Sequence, residues 1–242
     1  MLRLEPVLFL ALVILGIVLP GVASAQEITL DLGDSSSLTA RSFQLIALIT
    51  VLSLAPGLAV MVTCFPFVVT VLSILRQAIG LQQSPPNMLI VSLALFLTYF
   101  VMAPVFEQAY AAGIAPLIAG DLTPETAMPL IYEPFRAFML NRVDMSTLTS
   151  LAELRPGADA VNPEASVLIP SFMLSEVERA FQIGFLVFLP FLVIDLVVAA
   201  ILMSMGMMMV PPAIVSLPFK LAFFVVADGW ALITGALVRS YF

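Results

Sequence analysis

The stretch 203–212, Met-Ser-Met-Gly-Met-Met-Met-Val-Pro-Pro, carries five methionines in seven positions and closes on two prolines. Apolar segments flank it, 180–202 before and 213–238 after. Methionine is unbranched, flexible and polarizable, so a cluster suits a surface that repacks around varied neighbours. Pro211 and Pro212 donate no backbone hydrogen bond, and Val210 before them is pushed out of the helical region. The pattern predicts two apolar helices joined at Val210, Pro211 and Pro212, with Met205, Met207, Met208 and Met209 at the tip. Such a hairpin makes a re-entrant loop or a constriction, whereas scattered methionines would merely fill gaps in a membrane core.

Composition sets the solvent. Of 242 residues, 62% are hydrophobic and 10% charged, with mean hydropathy +1.14. Soluble domains have roughly a quarter charged residues, so this chain is built for a bilayer. The net charge of −7 and the lack of any Lys/Arg-rich block argue against nucleic acid as a partner. With no histidine and one cysteine, Cys64, the chain has no internal disulfide, no histidine-based catalytic site and no His/Cys zinc site. Cys64 reads as a small core residue.

Residues 1–25 run from Arg3 through an apolar core at 7–19 to Ala23-Ser24-Ala25, the pattern of a cleavable secretory signal. Residues 26–242 then read as one membrane-associated domain. A polar segment, 26–41, leads in, with a serine of 35–37 or Thr39 capping the next helix. The uncharged run 42–75 is too long for one simple span and is interrupted by Pro56-Gly57 and Pro66, so some of its turns should pack on protein. Arg76 ends it, and a tight connection, 77–87, leads to a second apolar run, 88–106, broken at Pro104. The polar middle, 107–179, has an acidic excess that suits the extracytoplasmic side. Helical spacing occupies 129–154 within it, and 155–163 is a loop. The expected fold is all-α, with about four long, kinked apolar helices in two hairpins plus the helical polar middle. Arg76 and the methionine turn then share the cytoplasmic side.

Asp195, Lys220 and Asp228 interrupt the last two apolar segments, where charge is costly unless paired. If the hairpin folds about Met208 and Met209, Asp195 lies about four turns before the tip and Lys220 about three after it, so the two should pair. The pair reads first as a structural register device and second as a coupling site of a small proton-coupled transporter. A carboxylate dyad of Asp195 and Asp228 would need a shared proton, which Lys220 opposes, so no enzyme is expected. No Gly-rich phosphate loop and no cofactor site is visible.

The stretch 170–230, PSFMLSEVERAFQIGFLVFLPFLVIDLVVAAILMSMGMMMVPPAIVSLPFKLAFFVVADGW, closely resembles the FliP family, the P subunits of flagellar and virulence type III export gates. LSILRQAIG, PPN and LALFLTYFVMAP within 72–104, and PFRAFML at 134–140, resemble further blocks of it. Where that family commonly has Thr-Arg after Phe65, this chain has Pro66 and Phe67. The resemblance implies a protein-export component, without cofactor, that assembles in several copies with Q and R subunits and the larger A and B components. It implies passage of unfolded flagellar proteins, and hairpins sitting at or above the outer face of the bacterial inner membrane among its lipids. Met207, Met208 and Met209 match the family's pore seal, to which Met205 adds; Asp228, Arg76, Arg136 and Glu178 are candidate interface residues. The signal and N-terminal extension resemble flagellar rather than virulence members.

Overall fold

A computed structural model describes residues 35–81, 84–157, 159–207 and 209–242; the expected signal segment 1–25 lies outside them. Every regular element among the described residues is helical. Helix α1 spans Ser35–Met61, α2 Phe65–Ile79 and α3 Asn87–Ala109. A π-helical turn, Tyr110–Ile114, carries α3 into α4, Ala115–Ala119. The polar middle supplies α5, Pro124–Arg142, and α6, Met145–Glu153. Then follow α7, Ala165–Ser204, α8, Pro212–Val226, and α9, Gly229–Arg239. Among the described residues, three stretches are long and apolar enough to cross a membrane: Ser42–Met61, Asn87–Ala119 and α7. The pair α8 and α9, bent by 61°, makes a fourth if counted as one span. The all-α architecture is the one the sequence predicts. The chain divides within α1, between Val51 and Leu52, and the packing below is that of Leu52–Phe242.

Helix α2 sits at the centre. Its 15 residues reach about 22 Å at 1.5 Å per residue, short of a hydrocarbon core about 30 Å thick. Instead it is buried on protein: Phe67, Val68, Val71, Leu72, Leu75 and Ala78 are all enclosed. Against them pack Ile90, Ala94, Val101 and Met102 of α3, Ala180 and Phe191 of α7, Phe224 of α8 and Leu237 of α9. Cys64 lies in the same core, where burial pushes its thiol up to about 12 and keeps it protonated and inert. Gly184 is what lets α7 approach α2, since a Cβ there would stand 2.4 Å from Ile74 Cδ1. A second cluster joins α5, α6 and the start of α7 through Met139, Leu148, Leu168 and Phe172.

Several expected boundaries move. Helix α1 begins at Ser35, so Ser35–Ser37 and Thr39 lie inside it rather than capping it. Helix α3 runs through Pro104 without a break, and its irregularity comes later, at the π turn. There Gly113 lies so close to α5 that a Cβ would meet Ile131 Cγ1 at 2.4 Å. The predicted helix 129–154 is divided because Asp144 caps α6, accepting the Ser146 and Thr147 N–H groups at 2.9 and 3.0 Å. The last apolar segment is divided at Asp228, which adopts the left-handed conformation (φ 52°, ψ 43°) that aspartate tolerates better than most residues.

Helix α7 begins in the polar middle. Its 40 residues extend about 60 Å, twice the hydrocarbon thickness, so one continuous helix carries both the charges near its start and the methionine turn at its end. At its polar end Glu176 is fully buried. It accepts from Arg142 Nε at 3.1 Å and from the Tyr241 hydroxyl, and it pairs with Arg179 Nη1 at 3.6 Å. Arg142 also lies 4.0 Å over the Tyr241 ring and donates to the Ser240 carbonyl at 2.7 Å. Burial raises the Tyr241 phenol, which keeps it the donor.

Two outcomes follow. Gly184→Ala should cost about 1–3 kcal/mol of thermal stability in detergent, because the Ile74 branch, not only its tip, stands in the way. Asp144 has its carboxyl held below the usual range by the Ser146 hydroxyl and the Thr147 and Ser146 N–H groups. Its cap contribution is therefore fully present above the ordinary Asp range and is lost as pH falls through the lowered value. The stability gap between wild type and Asp144→Ala should close on acidification; a gap independent of pH would remove the cap from the account.

Candidate functional site: the methionine turn and its anchor

Helix α7 ends before the prolines. Gly206 is left-handed (φ 74°), its N–H donates to the Met203 carbonyl at 3.1 Å, and the Met207 N–H donates to the Leu202 carbonyl at 2.9 Å. That is a Schellman motif, in which the glycine after the helix satisfies the last carbonyls. The prolines start the next helix rather than stop this one. Pro211 precedes α8 and Pro212 stands in its first turn, where a missing N–H costs nothing. The sequence places the turn at Val210, Pro211 and Pro212; the structure adds that Gly206 stops the first helix.

The methionines at this end are outward. Met205 is 66% exposed, Met207 42% and Met209 97%, while Met208 lies outside the described residues. Behind the tip is a cleft of about 520 Å³ with a wholly apolar lining, including Val197, Ile201, Met205, Met207, Val215 and Phe219. Nothing in it offers a fixed polar partner to an occupant. Such a surface adapts its shape and excludes ions and water.

The hairpin is anchored three turns back. Lys220 is buried, and its Nζ donates to Asp195 Oδ2 at 2.6 Å and to the Ala78 carbonyl at 3.1 Å. Ser216 donates to the other carboxylate oxygen, Asp195 Oδ1, at 2.6 Å. Ala78 lies in the last turn of α2, where carbonyls lack intrahelical partners and the helix dipole favours a cation. One ammonium therefore joins α7, α8 and α2. Gly80, left-handed (φ 88°), ends α2 just past that carbonyl.

The other candidates are placed apart from this node. Arg76 donates to the Pro85 carbonyl at 3.5 Å and to the Asn87 side chain, closing the α2–α3 connection on itself. Arg136 pairs with Glu133 at 3.2 Å and donates to Asn162 at 2.5 Å. Glu178 accepts from Gln182 at 3.1 Å on an exposed face. Asp228 is exposed at the α8–α9 break. Sequence reasoning passed over Ser216, the Ala78 carbonyl, and the buried Glu176 and Arg142. Glu176 and Arg142 stand in a charged stretch whose spacing does not show which members turn inward. Among the described residues, no group of three or more His, Cys, Asp or Glu side chains is placed to hold a metal ion.

A family model described as "FliP family" matches residues 48–237, a range that includes the turn, its anchor and the buried Glu176. The chain belongs to the FliP family. Three flagellar biosynthetic proteins FliP illustrate how far the similarity extends. That of Caulobacter vibrioides is 52% identical over 229 residues, 93% of this chain and 86% of the relative. That of Agrobacterium fabrum is 45% identical over 241 residues, 96% of this chain and 98% of the relative. The Bacillus subtilis FliP is 41% identical over 201 residues, 82% of this chain and 91% of the relative. The departure at Pro66-Phe67 has a structural role in this chain: Pro66 stands in the first turn of α2, and Phe67 packs edge-on to Tyr241 at 5.6 Å.

The anchor predicts a non-additive mutant cycle. Asp195→Asn leaves a buried ammonium short of its counter-charge, and Lys220→Met strands the carboxylate and the Ala78 carbonyl. Each should cost about 1–3 kcal/mol. The double variant should be more stable than the sum of the two losses, by thermal unfolding in detergent. Strict additivity would mean that the two side chains do not act as a pair.

Proposed function

We propose that this chain is a structural, pore-forming subunit of the flagellar type III protein export gate, and that its methionine turn closes the pore. Membership of a family whose relatives are flagellar biosynthetic proteins supports the flagellar setting. The observation that carries the sealing role is the turn itself: exposed thioethers and an apolar cleft at the free end of an anchored hairpin. Unfolded flagellar proteins would pass such a tip without finding a fixed polar contact, and the thioethers would close behind them. The subunit acts in several copies with Q and R subunits and the larger A and B components, in the bacterial inner membrane and towards its periplasmic face. Residues 1–25 serve as the signal that delivers it, and residues 26–242 form the working domain.

The transporter alternative places a coupling site at Asp195 and Lys220. The Ala78 carbonyl and the Ser216 hydroxyl favour an anchor instead, since they occupy further hydrogen-bonding positions of the pair and tie it to a third helix.

Replacing Met207, Met208 and Met209 by Ala in cells carrying the whole gate should make the inner membrane leaky to small solutes while the complex still assembles. An intact permeability barrier with an assembled complex would sink the sealing role. Mild-detergent extraction should yield a multimer containing two unlike small membrane subunits, with this chain beginning at Gln26.

A further inference from the structure

Among the described residues, the methionines run between two chemical extremes. Met102 and Met139 are fully buried in the two cores, while Met203, Met205, Met207 and Met209 stand exposed at and around the turn. A thioether is also the apolar side chain that mild oxidants attack most readily, and access to the sulfur decides which methionines react. We propose that the exposed methionines of the turn are a site of reversible oxidation by peroxide, and that their conversion to sulfoxide opens the barrier they form. The site of modification stands on exposure; its consequence rests on the sealing role proposed above.

The chemistry balances without any group from the protein. A sulfur lone pair attacks one peroxide oxygen, the O–O bond breaks, and the departing hydroxide takes a proton to become water. Sulfur loses two electrons and peroxide gains them. Reversal needs a dithiol reductant, which is oxidised to a disulfide as the sulfoxide oxygen leaves as water, the chemistry of methionine sulfoxide reductases.

The surroundings give the oxidation its effect. The cleft lined by Met205 and Met207 is completed by valine, isoleucine, leucine and phenylalanine, with no polar lining. A sulfoxide is a strong hydrogen-bond acceptor, and no side chain of that lining donates to it. The oxygen must therefore turn towards water or bring water with it, and either outcome wets a surface that works by excluding water. Leucine has nearly the same bulk and no sulfur, so it separates oxidation from shape.

The test treats cells carrying the complete complex with hydrogen peroxide. It reads small-solute leakage and, on the extracted chain, oxygen addition to the peptide spanning 203–209. Wild type should gain oxygen there before Met102 and Met139 react, and its leakage should rise several-fold. Both changes should reverse when a methionine sulfoxide reductase is supplied with thiol. In a variant with Met203, Met205, Met207, Met208 and Met209 all changed to Leu, leakage should not rise on treatment, whatever its level beforehand, although exposed Met88 and Met128 remain oxidisable. An equal peroxide-induced rise in leakage in wild type and the Leu variant would overturn the proposal, as would a turn peptide no more oxidised than the buried methionines. Leakage of the untreated Ala variant reports on the seal alone. An Ala variant that leaks beside an oxidised wild type that does not would overturn the oxidation proposal and leave the seal standing.

Discussion

A lysine ammonium enclosed among apolar helices is the constraint on which the hairpin depends. Desolvating it costs several kcal/mol unless the surroundings replace water with well-placed acceptors. Lys220 has two, and they come from different elements: the carboxylate of Asp195 on α7 and the Ala78 carbonyl at the end of α2. The carbonyl would itself be an orphan, because helix ends leave their last acceptors without intrahelical partners. Each group answers the other's deficit, and α7, α8 and α2 are fixed at one level as a result. Hydrophobic contact adds to that level where Gly184 meets Ile74, but an apolar helix surface facing lipid gains little from one register over another.

The same logic recurs at the other end of α7. Glu176 lies 19 positions before Asp195, about 28 Å along the helix, close to the hydrocarbon thickness. It gathers Arg142 from the polar middle, Arg179 from its own helix and Tyr241 from the chain's end. Between these two centres α7 shows Phe181, Phe185, Leu189 and Val193 outward, surfaces equally suited to lipid and to a neighbouring subunit. Polar centres at both ends and an unspecific apolar face between them describe a helix located by its charges.

How much of this was legible follows from where the partners lie. The methionine run, the prolines and the isolated Asp195 and Lys220 are local signals, and counting turns from the tip brings the two charges level. The Ala78 carbonyl is a backbone group 142 positions from its lysine, with no side-chain signature. Tyr241 meets Glu176 across 65 positions, and the charged stretch around Glu176 offers several carboxylates with nothing in their spacing to single it out. Arg136 and Glu178 looked the more prominent charges, yet they bond on exposed surfaces, whereas Arg142 and Glu176 hold the middle region to the chain's end. Helix continuity was misread in both directions. Pro104 is absorbed within α3, while Asp228, with no proline near it, breaks the last segment through its left-handed backbone.

The turn divides its labour between held ends and an adaptable middle, which suits the sealing role proposed for it. Its first end is closed by two backbone bonds around Gly206, at 3.1 and 2.9 Å. Its second end is stiffened by the fixed φ of Pro211 and Pro212. Between them, Val210 N–H to the Met207 carbonyl at 3.4 Å is the backbone bond found within 207–210 among the described residues, well beyond the usual 2.9–3.0 Å. That long bond holds the tip more loosely than its ends are held, and the described methionines beside it, Met207 and Met209, have the most adaptable apolar side chains. Substituting a polar residue there would add the fixed partners that both the backbone and the cleft avoid. Substituting a branched aliphatic would keep the cleft dry but remove rotamers. Methionine alone among the apolar residues combines an unbranched chain with a soft, polarizable end, so its concentration between a glycine stop and a proline start fits the proposed seal, a closure that adapts while its ends stay in place.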